Sequence, residues 1–382
     1  MSNLKHNTIC TRCLYHSEIP NIVFDSAGVC NYCYLHDQME EQYPNDERGN
    51  EYLEKLCDSM KENGRGKKYD CVVGVSGGCD SSYLMHMLVQ KGVRPLAVHF
   101  DNTWNSPIAT QNIKKVLTAL NLDLFTYVVN NKEFDDLFHS YLKSDVLEVD
   151  TPTDIGLTTT LYIAAKKYKL KYIVEGHSFR TEGVAPLGWA YMDGKIIQDI
   201  HEKFGKLKLT TFPNLTLMKF LKYSILYNFK RVRPLYYIDY QKEEAKDILS
   251  KNYNWEWYGG HHLENRIAVF GHTVWLPQKH KVDQRVLGYA ALVRSGQISR
   301  SEGIKLLEVP IKASQETIEL IKQRLSLSEH EIQQILTRPP KKWSDYKNYK
   351  KTMERLKWLF WILYKLNRVP KSFYIKFTNK SI

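Results

Sequence analysis

YDCVVGVSGGCDSSYLMHML, residues 69–88, begins with an apolar run and breaks off in Ser76-Gly77-Gly78-Cys79-Asp80-Ser81-Ser82. The run CVVGV is apolar without alternation, as expected of a strand covered on both faces in a parallel sheet. From Ser81 the apolar residues return at helical spacing and stop at Gly92. Strand, glycine loop and helix in this order form an anion site, because the free N–H groups and dipole of a helix N-terminus face a phosphate. Gly77 and Gly78 permit a tight path and close approach, and Ser76, Ser81 and Ser82 add hydroxyl donors. No Gly-Lys-Ser/Thr follows, so the loop is not a Walker A loop.

The following segments extend the pattern. RPLAVHFDN (94–102), LDLFTYVV (122–129) and KYIVEGHS (171–178) read as strands separated by helical patterns. The fold class is therefore α/β, a doubly wound parallel sheet with ligands at the carboxyl ends of its strands. The second strand ends in polar residues where an adenine and ribose would lie, which makes Phe100 and Asp101 nucleotide-side candidates.

Ahead of this unit the chain reads CTRCLYHSEIPNIVFDSAGVCNYC. Cys10 and Cys13 form one C-x2-C and Cys30 and Cys33 another, with sixteen residues between them. Two such knuckles make a four-cysteine zinc site, with a disulfide pair as the other reading. Four thiolates leave no open position, so the Zn²⁺ is expected to be structural. Metal would supply much of the stability of a module too small to bury a core. The intervening residues suggest a hairpin turning at Ala27-Gly28, and residues 41–68 a linker arm with a helix at 50–62.

The chain has 382 residues, enough for two domains or one with appendages, and ordinary hydrophobic (43%) and charged (25%) fractions. Its formal charge is +12. Residues 341–382 hold twelve Lys or Arg against Asp345 and Glu354, a net of +10, which leaves about +2 elsewhere. Charge confined to a tail argues against a broad nucleic-acid surface. Seven cysteines and an N-terminus without an apolar core suggest a reduced, cytoplasmic protein. The apolar run at 358–364 is too short to span a bilayer. Trp358, Phe360, Trp361 and Leu363 with flanking Lys and Arg suit an interfacial helix on an anionic membrane, hence a peripheral contact at the inner membrane. A helix packed on the enzyme core or on a partner is the competing reading.

Ser76 to Ser81 resembles S-G-G-x-D-S, the pyrophosphate loop of the PP-loop ATP pyrophosphatases (adenine nucleotide alpha hydrolase-like), which include tRNA-lysidine, GMP and asparagine synthetases. The resemblance implies ATP cleaved between its α- and β-phosphates and AMP passed to a substrate oxygen. It also implies Mg²⁺ held with Asp80 and a pyrophosphate cradled by Ser76, Gly77, Gly78, Ser81 and Ser82. Gly176-His177 after the fourth strand recurs in that family, and RVRPLYYIDYQKEEAKDIL (231–249) resembles its R-P-L element.

VEGHSFRTEG (174–183), DTPTDIGLTTTLY (150–162), WYGGHHLENRIAVF (257–270) and LPQKHKVDQR (276–285) together resemble the N-acetyl sugar amidotransferases of the WbpG/PseA type. These act in lipopolysaccharide O-antigen and pseudaminic-acid synthesis. The resemblance spans roughly residues 8–310, and it departs from the family at Lys279-His280-Lys281, where Lys-Phe-Gly is expected. It implies adenylation of an acetamido oxygen on a nucleotide-linked sugar, then displacement of AMP by ammonia to give an acetamidino group. Arg180, Lys279 and Arg285 become candidates for binding substrate anions or pyrophosphate, Lys279 and Arg285 with Asp80 at the catalytic step. Glu182, Glu264 and Asp283 would orient sugar hydroxyls or take a proton from ammonia, and Asp154, Thr158, Thr181 and His261 complete the substrate-binding set. Solvated salt bridges are the alternative for such charges.

No cysteine follows Cys79 and none stands at the N-terminus, so neither sulfur-transfer thiols nor an N-terminal glutaminase is expected. Ammonia would come from a partner, a glutaminase with a barrel-type channel protein (HisH/HisF-like). The expected organisation is a zinc module (1–40), a linker arm (41–68), a PP-loop domain (69–260), a helical substrate region (261–340) and a basic amphipathic tail (341–382). Two other readings compete: a PP-loop enzyme adenylating a tRNA base, of lysidine or thiolation type, and a nucleotide sensor with a dead loop.

Overall fold

The computed structural model describes residues 8–186, 189, 191–260, 263–366, 368–369 and 371–378. Five strands form one parallel sheet: β1 (Cys71–Gly74), β2 (Pro95–Asp101), β3 (Leu124–Val128), β4 (Tyr172–Val174) and β5 (Lys230–Val232). Their order is β3-β2-β1-β4-β5, so the chain reverses direction across the sheet between β1 and β4. Ligands of open α/β sheets bind at that switch point, outside the carboxyl ends of the strands. The loop after β1 and the turn after β4 both lie there.

Both faces of the sheet are covered, which is why β1 shows no polar alternation. Cys71 and Val73 face a layer built from Leu53, Leu56 and Met60 of α2 (Glu47–Asn63) and Leu84, Met85 and Leu88 of α3 (Cys79–Gln90). Ile113, Val116 and Leu117 of α4 (Pro107–Ala119) belong to the same layer. Val72, Leu96 and Val98 face the other layer, with Phe134, Leu137 and Tyr141 of α5 (Asn131–Ser144) and Leu161 and Ala164 of α6 (Thr151–Lys167). The third expected strand differs from a buried one. As the sheet edge, β3 leaves Leu124 (44%) and Val128 (59%) exposed.

The N-terminal module is a loop-rich knuckle with isolated antiparallel bridges Ile9↔His16 and Phe24↔Cys30. Gly28 takes a positive φ of 76° in the turn between Asp25 and Val29. Helix α1 (Asn31–Gln42) starts immediately after Cys30. The module shares an apolar cluster with Val286 and Ala290 of the helix Arg285–Arg294. That helix and the next, Arg300–Glu308, flank a turn at Gly296 with φ 74°.

The basic tail is folded onto the sheet layer. Met353, Phe360, Leu363 and Phe377 join the same core as Val72 and Phe134, and the Phe360 ring stacks on Phe220. Trp358 (63%) and Trp361 (49%) point outward from the same helix, Lys357–Lys365. Among the described residues no helix is long and apolar enough to cross a membrane.

Candidate functional site

At the end of β1 the chain turns through Gly77 at φ +83°, and a Cβ there would lie 2.2 Å from the Ala109 carbonyl oxygen. Only glycine fits both demands. The Gly77 carbonyl is fixed by the Trp255 indole N–H at 3.0 Å, so the loop is braced from outside. Gly78 caps α3. Within the loop, the Gly78 N–H donates to Ser76 Oγ at 3.3 Å, the Ser76 N–H to Ser81 Oγ at 3.4 Å, and Ser81 Oγ to the Gly78 carbonyl at 3.3 Å. Ser82 is buried in the first turn of the helix. The hydroxyls of Ser76 and Ser81 thus serve as partners for loop N–H groups, an arrangement an incoming anion would replace.

Asp80, in the first turn of α3, is held by two groups from the segment after β5. Tyr240 donates its hydroxyl to Asp80 Oδ1, and Lys242 Nζ sits 3.1 Å from Oδ2. Both residues are buried, which makes Lys242 a cation at the mouth of the loop. The sequence reading missed it, although it lies inside the quoted R-P-L element. Gly176 closes the other side: a Cβ there would meet Asp80 and Ser81 backbone atoms at 3.1 Å.

A second carboxylate reaches the loop from the segment 257–265. A Cβ on Gly78 would lie 3.0 Å from the Tyr258 hydroxyl and 3.4 Å from Glu264 Oε1. Glu264 Oε2 is buried and has no hydrogen-bond partner among the described residues. Burial, then the charges of Glu264 and Asp80, hold the Tyr258 phenol well above its ordinary pKa. Glu264, expected at the sugar, therefore stands beside the Ser76–Ser82 loop that also carries Asp80.

Beyond Gly176, His177 Nδ1 contacts the Tyr236 hydroxyl at 3.0 Å, and Nε2 lies 3.5 Å from Glu182 Oε2. The Tyr236 hydroxyl also accepts from Arg233 at 2.9 Å. Glu175 receives Arg231 and Arg233 together. Burial pushes the Glu175 carboxyl up, but the two guanidiniums outweigh it and bring its pKa down to about 2. The turn after β4 thus carries a half-buried His–Glu pair above a locked Arg–Glu–Arg group.

Several residues chosen from sequence have other tasks. Arg180 is buried, paired with Glu40 and donating to the carbonyls of Tyr236 and Tyr43, so it fastens α1 to the sheet and is not open to a ligand. Lys279, expected at the catalytic step, is buried against Asp145 at 3.0 Å and donates to the Ile335 and Arg338 carbonyls. Arg285 pairs with Asp283 at 2.7 Å and donates to the Leu307 and Val309 carbonyls, holding the end of the helix Arg300–Glu308. These geometries make Lys279, Arg285 and Asp283 structural, because their donors and acceptors are already spent. Phe100 is a core residue wedged under Gly156 and beside Phe134, so its ring is not an adenine platform. Asp101 remains at the end of β2, where it accepts from the Thr103 N–H at 2.8 Å.

Asp154 lies exposed in the first turn of α6 and Thr158 half-buried one turn further. Asn102 donates to Thr153 at 3.1 Å, which brings that helix end to the end of β2. Thr181 is buried, and its hydroxyl lacks a hydrogen-bond partner among the described residues. His261 lies outside the described residues. Cys79, the cysteine nearest the loop, is buried 3.6 Å from the Tyr240 hydroxyl. Burial pushes its thiol up to about 12, which keeps it un-ionised at neutral pH.

Cys10, Cys13, Cys30 and Cys33 bring all four Sγ within 4.8 Å of one another, none in a disulfide. The Cys10–Cys33, Cys13–Cys30 and Cys30–Cys33 separations are 3.8, 3.7 and 3.6 Å. A tetrahedron with Zn–S of about 2.3 Å has S···S edges of about 3.8 Å, so the cluster fits tetrahedral thiolate ligation. Backbone N–H groups of Cys13, Tyr15 and Cys30 donate to the sulfurs, and the Arg294 guanidinium lies 3.1 Å from Cys13 Sγ. These donors would offset the excess negative charge of four thiolates on one divalent ion.

Residues 264–359 match the family model described as the LPS biosynthesis protein WbpG-like, C-terminal domain. The chain is 27% identical over 170 residues to Uncharacterized protein MJ1599 of Methanocaldococcus jannaschii, 44% of this chain and 58% of that protein. It thus spans little more than half the length of that curated relative. Similar solved structures include NMN synthetase from Francisella tularensis (16% identity, TM-score 0.31, 74% of this chain and 95% of that one). NH3-dependent NAD synthetase from Campylobacter jejuni is similar at 15% identity and TM-score 0.31, over 73% of this chain and 93% of that one. The U34-tRNA thiolase NcsA from Methanococcus maripaludis is similar at 12% identity and TM-score 0.31, over 79% and 89%.

Proposed function

We propose that this chain is an ATP-dependent, AMP-forming amidotransferase that converts the acetamido group of a nucleotide-linked sugar to an acetamidino group. The observation that carries the reading is the Ser76–Ser82 loop at the switch point, with Asp80 and Lys242 at its mouth. The WbpG-like match at 264–359 supports the sugar as acceptor, since that segment supplies Glu264 to the same loop. The site belongs to surface-glycan synthesis, as in lipopolysaccharide O-antigen.

An acetamido carbonyl carbon is a poor electrophile because nitrogen donates into it. Attack of its oxygen on the α-phosphorus of ATP forms an O–P bond and expels pyrophosphate. The loop N–H groups, the serine hydroxyls and Lys242 receive the charge that grows on the departing group, as electrostatic stabilisation requires. Asp80 and Glu264 would hold Mg²⁺, which supplies charge neutralisation on the phosphates. Ammonia then adds to the activated carbon and AMP leaves with the former amide oxygen. Glu182, 3.5 Å from His177 Nε2, would accept the proton that ammonia gives up. The four-cysteine cluster would hold structural Zn²⁺ and fix the N-terminal module to the helix Arg285–Arg294.

Ammonia is the second substrate, and most of it is ammonium, with no lone pair, at neutral pH. A partner glutaminase with a channel protein would deliver it directly. The protein alone should use ammonium salts at a rate that rises with pH, and should ignore glutamine. The test is incubation with ATP, Mg²⁺, ammonium and UDP-linked acetamido sugars. A sugar lighter by about one mass unit, with AMP and pyrophosphate, is expected. ATP cleavage stimulated by tRNA and not by any acetamido sugar would favour the base-adenylating alternative.

A further inference from the structure

A cavity of about 220 Å³ lies where α1 and α2, the carboxyl end of β5 and the C-terminal helices meet. Its walls are tyrosines. Tyr52 stacks on Tyr237 with ring centroids 4.1 Å apart, and Tyr43 stands edge-on to Tyr236 and Tyr237. Its charges are all of one sign: Arg231, Arg233, Lys365 and Lys371 line it, and no carboxylate among the described residues does. Glu175, behind the wall, answers the two arginines with a single negative charge. Lys371 donates to the neutral Gln42 at 2.8 Å, and Lys365 lies over the rings of Trp361 and Tyr364. Four cations and, among the described residues, no carboxylate therefore line an aromatic hollow.

Such a hollow is costly to leave facing itself and suits an anion joined to a flat ring. Guanidinium and ammonium donors take phosphate oxygens, and tyrosine faces take a base or ribose. The volume is below the roughly 300–1,000 Å³ of sites that enclose a whole drug-sized ligand, so it holds one end of a larger molecule. Tyr236 shows which way the remainder runs. It lines the cavity, and its hydroxyl touches His177 Nδ1 at 3.0 Å on the catalytic side. We infer that this cavity binds the nucleoside diphosphate end of the substrate, so that the sugar passes Tyr236 and presents its acetamido group to the phosphate loop. This assignment rests on the sugar-nucleotide reading of the acceptor.

The test is calorimetric binding of UDP, and separately of inorganic pyrophosphate, to the full-length protein without ATP. UDP should bind, and K365A/K371A should weaken it at least tenfold while leaving the melting temperature and the KM for ATP unchanged. Tyr52→Leu should weaken UDP but not pyrophosphate. UDP binding untouched by the lysine pair overturns the assignment, as does no UDP binding at all. Equal response of UDP and pyrophosphate to Y52L overturns the nucleoside part. Formation of the acetamidino product is scored on the same preparations, so turnover with unaltered UDP binding rejects this cavity alone, and absence of turnover rejects the sugar reading.

Discussion

Replacement of Lys242 by methionine removes the cation at the loop while keeping most of its apolar stem. Nζ lies 3.1 Å from Asp80 Oδ2. At an effective dielectric of about 20, two unit charges at that distance attract by about 5 kcal/mol. Desolvation of buried Lys242 and half-buried Asp80 offsets most of this in the resting protein, and Asp80 keeps its bond from Tyr240 in the variant. The stability loss should therefore be modest, while the rate loss should be large. Pyrophosphate gains negative charge only as it departs, and one preorganised donor at such a position is worth about 10²–10³ in kcat. K242M should lose pyrophosphate release by that factor, with the KM for ATP moving by less than about tenfold because ground-state binding is shared among several loop donors. K242R should recover part of the rate. A coupled pyrophosphate assay over a range of ATP concentrations reads both constants. Turnover of K242M within threefold of the parent would refute the placement of Lys242 on the leaving group.

Other perturbations test separate parts of the fold. Cys30→Ser should lose metal and lower the melting temperature, because the four sulfurs belong to the apolar cluster that joins the N-terminal module to Val286 and Ala290; metal content and a thermal scan on the same sample check it. Glu175→Gln should cost about 3–5 kcal/mol in denaturant unfolding, since it leaves Arg231 and Arg233 buried without their counter-charge. Because the Glu175 pKa is depressed, its contribution is present above the ordinary carboxyl range and fades as pH falls towards about 2. The parent should therefore lose this margin over the variant in acid. Trp358→Ser with Trp361→Ser should reduce sedimentation with anionic vesicles without unfolding the tail, whose Phe360 and Leu363 remain in the core. Equal sedimentation of parent and variant would remove the membrane contact.

What the sequence revealed was local. The strand–loop–helix at 69–88 could be read because glycine, serine and an apolar run act on their own neighbours, and the two C-x2-C pairs because each forms its own turn. Contacts between distant segments were not legible. Lys242 and Tyr240 reach Asp80 across about 160 residues, and Glu264 arrives at Gly78 from a segment far along the chain. Charge type alone could not separate Arg180, Lys279 and Arg285 from ligand-binding cations, because a buried structural pair and an open anion site use the same side chains. Phe100 failed for a related reason: strand position placed it at the right level, but its ring faces α6, where Gly156 leaves room for it. The tail was split correctly by neither reading alone, since one helix face is core and the other exposed.

The central claim is that the acetamido oxygen, not water or a nucleic-acid base, takes the adenylyl group. A UDP-linked sugar carrying ¹⁸O in its acetamido carbonyl, incubated with the protein, ATP, Mg²⁺ and ammonium, tests it directly. The account predicts AMP heavier by about two mass units, pyrophosphate without label, and a sugar product that has lost the label and gained nitrogen. Unlabelled AMP beside an unchanged sugar would contradict it.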